Sequence, residues 1–439
     1  MIFTVIDSQF IRVFYTTDLG NPGNFQFLLF VSFALFASII NIVLIRFAKS
    51  NDIQLRSSRP LLYRTVYICT FGAQIAVLLI MFLVISEMLI FHSYNVIFVL
   101  SAVCVSHFLS AFILITLSVI FLQWFRFGRS LSMLTYASVF IMILFLILIT
   151  VPLLMVTYTT QTYAESISPQ PYITLVEEYI IPTTNIAFIA FVYGLGTYVL
   201  PIMAIASWML TVSLLKGYVI RIGKKKFWLA VSIPLAYQIF VLIVSNANSL
   251  ITDPNLIEIL YSVQVQFLVA INGQISGLFF AVTIWTFARK TRQKSMNNFF
   301  IICSLGIISL FSSIQPGSPF YEAYPPFGLV TLSLLGLSSY ILLVGMIGSA
   351  AYVARDNLVR KEVFDSLQAD SHVLKMGSAE MQRELENRVR SVTKKIKSSD
   401  LADDMELTMD PDEKDVRLMV EEVLKEVHSK RRQLEENNR

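Results

Sequence analysis

Amide, hydroxyl and imidazole side chains set inside long apolar runs are the residues of this chain best placed to do chemistry. In the run from 227 to 250, Gln238, Ser245 and Ser249 recur at spacings of seven and four and share one stripe of a helix. Asn246 and Asn248 flank that stripe, and Pro234 precedes it by one turn. In the run from 257 to 287, Tyr261, Gln264, Asn272 and Ser276 share a face, while Ala270, Gly273, Gly277 and Ala281 line the opposite one. Amides buried in hydrocarbon either hydrogen-bond between helices or line a polar cavity for a small neutral or cationic ligand. Mutual satisfaction is enough to explain them, since interhelical polar contacts average only about 0.6 kcal/mol. A cavity would draw its polar lining from the pair Asn246 and Asn272 first, with Asn248 and Gln264 as further candidates. His107, in CVSHFLSAF, is the only histidine inside an apolar run. It fits hydrogen-bonded packing before a proton relay or a ligand site.

Other chemistries are excluded by what the runs lack. Their interiors hold no Asp, Glu, Lys or Arg, each of which costs about 2.5 to 3.5 kcal/mol at a bilayer centre even on the mildest scale and usually marks an ion pathway. That weighs against a pump driven by buried carboxylates and against a voltage sensor. Cys69, Cys104 and Cys303 all lie in apolar runs, with no CxxC and no histidine at ligand spacing, so neither a disulfide scaffold nor a metal site is expected. HExxH, Walker A and GxSxG motifs are absent, as is any acidic pair on one run. His372, in DSHVLKMG, is similar in setting to the phosphoacceptor of sensor kinases, but residues 373 to 439 leave no room for an ATP-binding domain; His428, in EVHSK, has less. The expectation is a protein that is not an enzyme and binds no cofactor.

The elements that position these residues follow from composition. The 439 residues are 55% apolar and only 15% charged, against about 25% charged in ordinary soluble proteins, and the mean hydropathy is +0.66. Apolar runs of about 18 residues or more mark spans, because a hydrocarbon core of roughly 30 Å needs about 20 helical residues. Nine such runs lie near 25 to 47, 65 to 86, 96 to 122, 134 to 156, 183 to 215, 227 to 250, 257 to 287, 298 to 314 and 327 to 353. Charge sorts the loops between them. Of the seventeen basic residues in positions 1 to 354, all but Arg12 fall in alternate loops, and of the ten acidic ones all but Asp52 fall in the others. Cationic loops stay in the cytoplasm, so the N-terminus is outside and the C-terminus inside. The eighth run, Phe299 to Ile314, is the weakest. Without it, Arg355, Arg360 and Lys361 would lie outside, against the bias every other loop obeys.

The fold class that results is all-α, a polytopic membrane helix bundle of about nine transmembrane helices with a C-terminal cytoplasmic helical tail. Residues 1–24 form an extracytoplasmic segment, 25–354 the transmembrane domain and 355–439 the tail. The first segment has no basic n-region and no cleavage site, so the first span is expected to direct insertion. The membrane domain carries a net charge of +7 and the tail −3. The basic excess faces anionic lipid heads and gives no reason to invoke nucleic acid.

Two outer loops, 157 to 182 and 315 to 326, are dense in proline, with Pro169, Pro171 and Pro182 in one and Pro316, Pro319, Pro325 and Pro326 in the other. Their backbone is expected to be extended and rigid, and their aromatics to sit at the headgroup level. Gly194, Gly196 and Pro201 in the fifth span, and Gly336, Gly345 and Gly348 in the ninth, permit tight packing or a kink, with packing the default. In the tail, Met381, Leu385, Val389, Val392 and Ile396 form one helical stripe. Val416, Val420, Val423, Val427 and Leu434 form another, after a capping box at Asp410, Pro411 and Glu413. Each is too short for a sustained coiled coil and suits a hairpin, a dimer or a partner-binding pair.

The segment YPPFGLVTLSLLGLSSYILLVGMIGSAAYVARDNLVRKEV, residues 324 to 363, followed by MGSAEMQRELENRV and DEKDVRLMVEEVLKEV, resembles a group of uncharacterised archaeal multispan membrane proteins. The likeness lies in the PPFG lead-in to the last span, the GLSSY core and the short helical tail, and it covers roughly the last quarter of the chain. It implies an archaeal cell membrane and carries no binding or catalytic residue with it. The expected function is a membrane receptor or sensor-like adaptor, its bundle embedded in lipid and its tail meeting a cytoplasmic partner or a second copy. A small-solute transporter or channel using the sixth and seventh spans is the alternative, and a non-catalytic scaffold of a membrane complex is the third.

Overall fold

The computed structural model describes residues 23–50, 60–91, 94–128, 131–164, 183–215, 223–246, 272–290, 294–314, 326 and 328–355. The extracytoplasmic segment, most of both proline-dense loops and the whole tail beyond Arg355 lie outside them, together with the expectations placed there.

The described residues form helices joined by a few turn and loop positions, with no strand among them. In order they are α1 (Gly23–Ser50), α2 (Pro60–Phe91), α3 (Val96–Gly128), α4 (Leu131–Ala164), α5 (Thr183–Leu215), α6 (Lys224–Asn246), α7 (Asn272–Lys290), α8 (Lys294–Ser313), the one-turn α9 (Leu329–Ser333) and α10 (Leu335–Arg355). Hydrocarbon leaves a backbone no partner but itself, so an isolated apolar run closes its own ladder as a helix. Seven helical stretches among the described residues are long and apolar enough to cross a membrane: α1 to α4, α6, α8 and the combined α9–α10. The protein is thus a multi-pass, lipid-embedded helix bundle. The expected fifth span is the helix α5, and the expected seventh is represented by α7, with 257–271 outside the described residues.

Helix ends depart from the expected spans where breakers are missing. α4 continues to Ala164, past the end expected at 156 and into the expected outer loop. VTYTTQTYA, residues 156 to 164, contains neither Gly nor Pro, so nothing stops the ladder at the membrane surface. Between α2 and α3 the turn is built from side chains: Asn95 Oδ1 accepts from Ile97 N–H at 3.0 Å, capping α3, and Asn95 N–H donates to Glu87 Oε2 at 2.7 Å.

Lipid contact is written in the exposed faces. On α3, Phe108, Phe112, Ile115 and Val119 are exposed at spacings of four, three and four, while Leu109, Ile113, Leu117, Phe121 and Trp124 are buried on the other side. A helix apolar all round is one that faces lipid on one side and protein on the other. Inside, one core spans α1 to α5, α7, α8 and α10, centred on Phe121, Tyr136, Phe140 and Phe280 with ring centroids 5.2 to 6.5 Å apart where they meet. A smaller core joins α1, α2, α3 and α9 through Phe30, Ala34, Met81, Val84, Val99, Ala102, Leu329 and Val330. α10 lies between α8, α3, α2 and α1, and the whole of its apolar window is buried, against 28% in α1 and in α2. It is the enclosed helix of the bundle.

Candidate functional site

Polar side chains from α6 and α7 meet. Gln238, Asn272 and Ser276 are all buried. Gln238 Nε2 donates to Ser276 Oγ at 2.6 Å, and Ser276 Oγ donates to the Asn272 carbonyl at 3.1 Å. The Oε1 of Gln238 and the Oδ1 of Asn272 are buried with no hydrogen-bond partner. Nearby on α6, Pro234 withholds an N–H and loosens the ladder of the preceding turn. There Trp208 Nε1 of α5 donates to the Val231 carbonyl at 2.8 Å.

The sequence-level candidates divide accordingly. Asn272 takes part through its main-chain carbonyl only, and the joining of the sixth and seventh spans runs through Gln238 and Ser276. Asn246 is the last residue of α6, and Asn248 and Gln264 lie outside the described residues. His107 belongs elsewhere, on α3, where its Nδ1 donates to the Val103 carbonyl of its own helix at 2.8 Å. All three cysteines are free thiols, and among the described residues no group of three or more His, Cys, Asp or Glu could hold a metal ion.

Behind the polar face, α7 is held against α8 with no slack. A methyl on Gly277 would collide with the Phe311 side chain, and one on Gly273 would stand 3.3 Å from the Phe311 carbonyl oxygen. Ser304 Oγ of α8 donates to the Ala281 carbonyl at 2.9 Å. The small-residue series of the seventh span therefore serves close approach, and its partner is α8. α8 is pressed equally hard onto α10. A methyl on Gly306 would stand 2.7 Å from Leu342 N, and one on Gly345 would stand 2.6 Å from Cys303 N. Ser338 Oγ lies 2.7 Å from Ser309 Oγ. Contacts of this kind transmit displacement because neither backbone has room to absorb it.

The last span is broken near its N-terminal end. Gly328 adopts φ 93°, α9 follows for one turn, and Leu334 separates it from α10. Across the break, Ser106 Oγ of α3 donates to the Leu332 carbonyl at 2.7 Å and accepts from Gly336 N–H at 3.3 Å. The hydroxyl thus stands inside the backbone ladder, between a carbonyl and the amide four residues on, one of the recognised causes of a helix kink. Gln74 Nε2 of α2 donates to the next carbonyl, Ser333, at 3.2 Å. Further inward, Ser110 Oγ pairs with Ser339 Oγ at 2.6 Å and Tyr63 Oη with Tyr340 Oη at 3.1 Å. The single span expected over 327 to 353 is thus two helices, and Gln74 and Ser106, which brace the break, are not among the residues expected to matter. Their only signal was polarity inside two apolar runs.

Comparison of the chain with protein-family models, with curated proteins and with solved structures finds no match in any of the three.

Proposed function

We propose that this protein is a receptor or sensor-like adaptor of an archaeal cell membrane, in which a bundle of about nine spans passes its state along the last span to a partner-binding cytoplasmic tail. The observation that carries this reading is the enclosure of α9–α10. A helix lined by lipid can move without its neighbours, but one enclosed by α1, α2, α3 and α8 must answer to them. That same helix runs to Arg355 and so directly into the tail. Signalling needs a second conformational state with different contacts, and the break at Leu334 is where such a helix would be adjusted.

Nine crossings, with the N-terminus outside and the tail inside, are supported by the charge sorting of the loops and by a helix within each of the nine apolar runs. The archaeal membrane rests on the resemblance of residues 324 to 363. Solute transport is the second reading, favoured by the unpartnered oxygens of Gln238 and Asn272.

The test is affinity purification from native membranes of the full chain beside a truncation after Asp356, both quantified by mass spectrometry. A specific partner lost with the tail is the expected result. Equal insertion with no tail-dependent partner rejects the adaptor reading and leaves transport.

A further inference from the structure

We infer that α7, α8 and α10 move as one rigid unit against a second unit, α9 with the stretches of α1, α2 and α3 packed around it, and that the break at Leu334 is the hinge between them. This deepens the adaptor reading and rests on it for its purpose, since it says which helices carry the signal and which stand still.

The hydrophobic cores divide the last span where its backbone does. Leu329 and Val330 of α9 pack in the smaller core, with Ala34 of α1, Val84 of α2 and Ala102 of α3. From Leu335 onward the buried apolar residues belong to the larger core, with Phe280 of α7 and Ile302 of α8. Leu332 and Leu334 are buried but belong to neither. Each part of the span is therefore bound to its own surroundings, and the chain between them is the joint.

What holds α10 differs from side to side. Toward α8 the contacts are backbone to backbone, since a methyl on Gly306 would stand 2.7 Å from Leu342 N and one on Gly345 would stand 2.6 Å from Cys303 N. α8 is closed in turn on α7, where a methyl on Gly277 would collide with Phe311. Neither contact offers a flexible side chain that could yield, so α7, α8 and α10 keep their places relative to one another. Toward α2 and α3 the contacts can be exchanged. A methyl on Gly336 would meet the tip of the Leu109 side chain, and two of the bonds there join hydroxyl to hydroxyl, Ser110 with Ser339 and Tyr63 with Tyr340. A hydroxyl both donates and accepts and rotates to suit, so such pairs re-form as one packed helix slides past another, the shear by which many proteins switch. Ser106 spans the hinge itself, bonded to the Leu332 carbonyl on one side and, at a longer 3.3 Å, to the Gly336 amide on the other. At Leu334 the backbone stays helical, with φ −82° and ψ −13°. The joint is thus a change of hydrogen bonding and not a strained turn, and a small change of angle is enough to work it.

Pulsed EPR distances between nitroxide labels on the full chain in lipid nanodiscs test this, with Cys69, Cys104 and Cys303 replaced by alanine. The pair Leu79→Cys and Leu305→Cys, at exposed positions of α2 and α8, reads across the hinge. Leu35→Cys with Ile97→Cys reads within the α9 unit, and Val282→Cys with Leu305→Cys within the other, again at exposed positions. Two distances are expected across the hinge and one within each unit. Ser106→Ala, which unties the two sides, should change the ratio of the two cross-hinge populations by about five-fold, the effect of one net hydrogen bond on an equilibrium, and Ser106→Thr should return it. The within-unit distances should stay as they were, which also shows that the variants are folded. A single cross-hinge distance, a ratio that Ser106→Ala leaves unchanged, or within-unit pairs that split as the cross-hinge pair does overturns the inference. Partner capture by the tail, measured on the same proteins, keeps the two readings apart. One fixed cross-hinge distance beside an intact tail partner rejects only the moving unit, and two distances without a tail-dependent partner reject only the adaptor.

Discussion

Ser106 holds two backbone groups that a straight helix would join directly, the Leu332 carbonyl and the Gly336 amide. Removing its hydroxyl leaves the Gly336 amide buried and unmet, while the Leu332 carbonyl keeps a backbone N–H from the end of α9, a loss of about 1 to 3 kcal/mol if the helix keeps its shape. Ser106→Ala is therefore expected to lower the melting temperature of the purified protein, and Ser106→Thr to restore most of it by returning the hydroxyl. An unchanged midpoint for Ser106→Ala would mean that Gly336 closes onto Leu332 and the break heals, which would remove the basis for a hinge there. Asn41 presents the opposite case. It is fully buried on α1, and neither its Oδ1 nor its Nδ2 has a hydrogen-bond partner. Replacing an unmet polar group by an apolar one of similar size is close to neutral or stabilising. Asn41→Leu should thus raise the midpoint or leave it, and a clear fall in thermal unfolding would show that the amide has work in another state.

At the scale of helices, the α8–α10 contact decides how tightly the bundle is coupled. Gly345→Ala places a methyl 2.6 Å from a backbone nitrogen of α8, which no side-chain rotation can relieve. Overpacking of this kind costs about 1 to 3 kcal/mol. Gly72 on α2 is the internal control, since nothing lies within 4 Å of a methyl there. Gly72→Ala should be neutral or slightly stabilising, by about 1 kcal/mol at most, and the two variants compared by thermal unfolding in one detergent check the pair of expectations. The same contact explains what sequence could and could not tell. The eighth run is the weakest because it is short and bounded by Gln315 and Pro316, yet α8 is two-thirds buried over its apolar window, and a helix that faces protein has little need of a long greasy run. The glycine series of α7 was legible as a packing face, but its partner was not, since a small residue says that a neighbour comes close and not which one. The break at Leu334 left only the trace of Gly336 two residues on, a residue expected first to serve packing. It contains no proline, and it is held by Gln74 and Ser106 from distant parts of the chain through side-chain-to-backbone bonds that have no periodicity.

For the molecule as a whole, everything proposed about signalling depends on which side of the membrane the tail stands. The exposed stripe of α3 and the enclosed α10 describe a bundle in lipid without saying which end is which. Orientation comes from charge alone: Arg46, Lys49, Arg56, Arg59 and Arg64 after the first span, Lys216 to Lys226 after the fifth, Arg289 to Lys294 after the seventh, against Glu165, Glu177, Glu178 and Glu322 in the intervening loops. Positive-inside bias acts on short loops of this kind, and the topology proposed from it requires an odd number of crossings. Single cysteines test it once Cys69, Cys104 and Cys303 are replaced by alanine. Glu177→Cys should react with a membrane-impermeant maleimide in intact cells, whereas Gly217→Cys and Ser399→Cys should react only after permeabilisation. Ser399→Cys labelled in intact cells would make the crossings even, put the tail outside and remove the adaptor reading together with its cytoplasmic partner. With the tail inside, its stripes become the next point of failure. Val389→Glu or Val423→Glu places a charge in the middle of an apolar face and should abolish capture of the partner while membrane insertion and melting of the bundle stay as they were. Undiminished capture would mean that the partner reads some other part of the inner surface, of which the basic loops beside α2 and α6 are the nearest to hand.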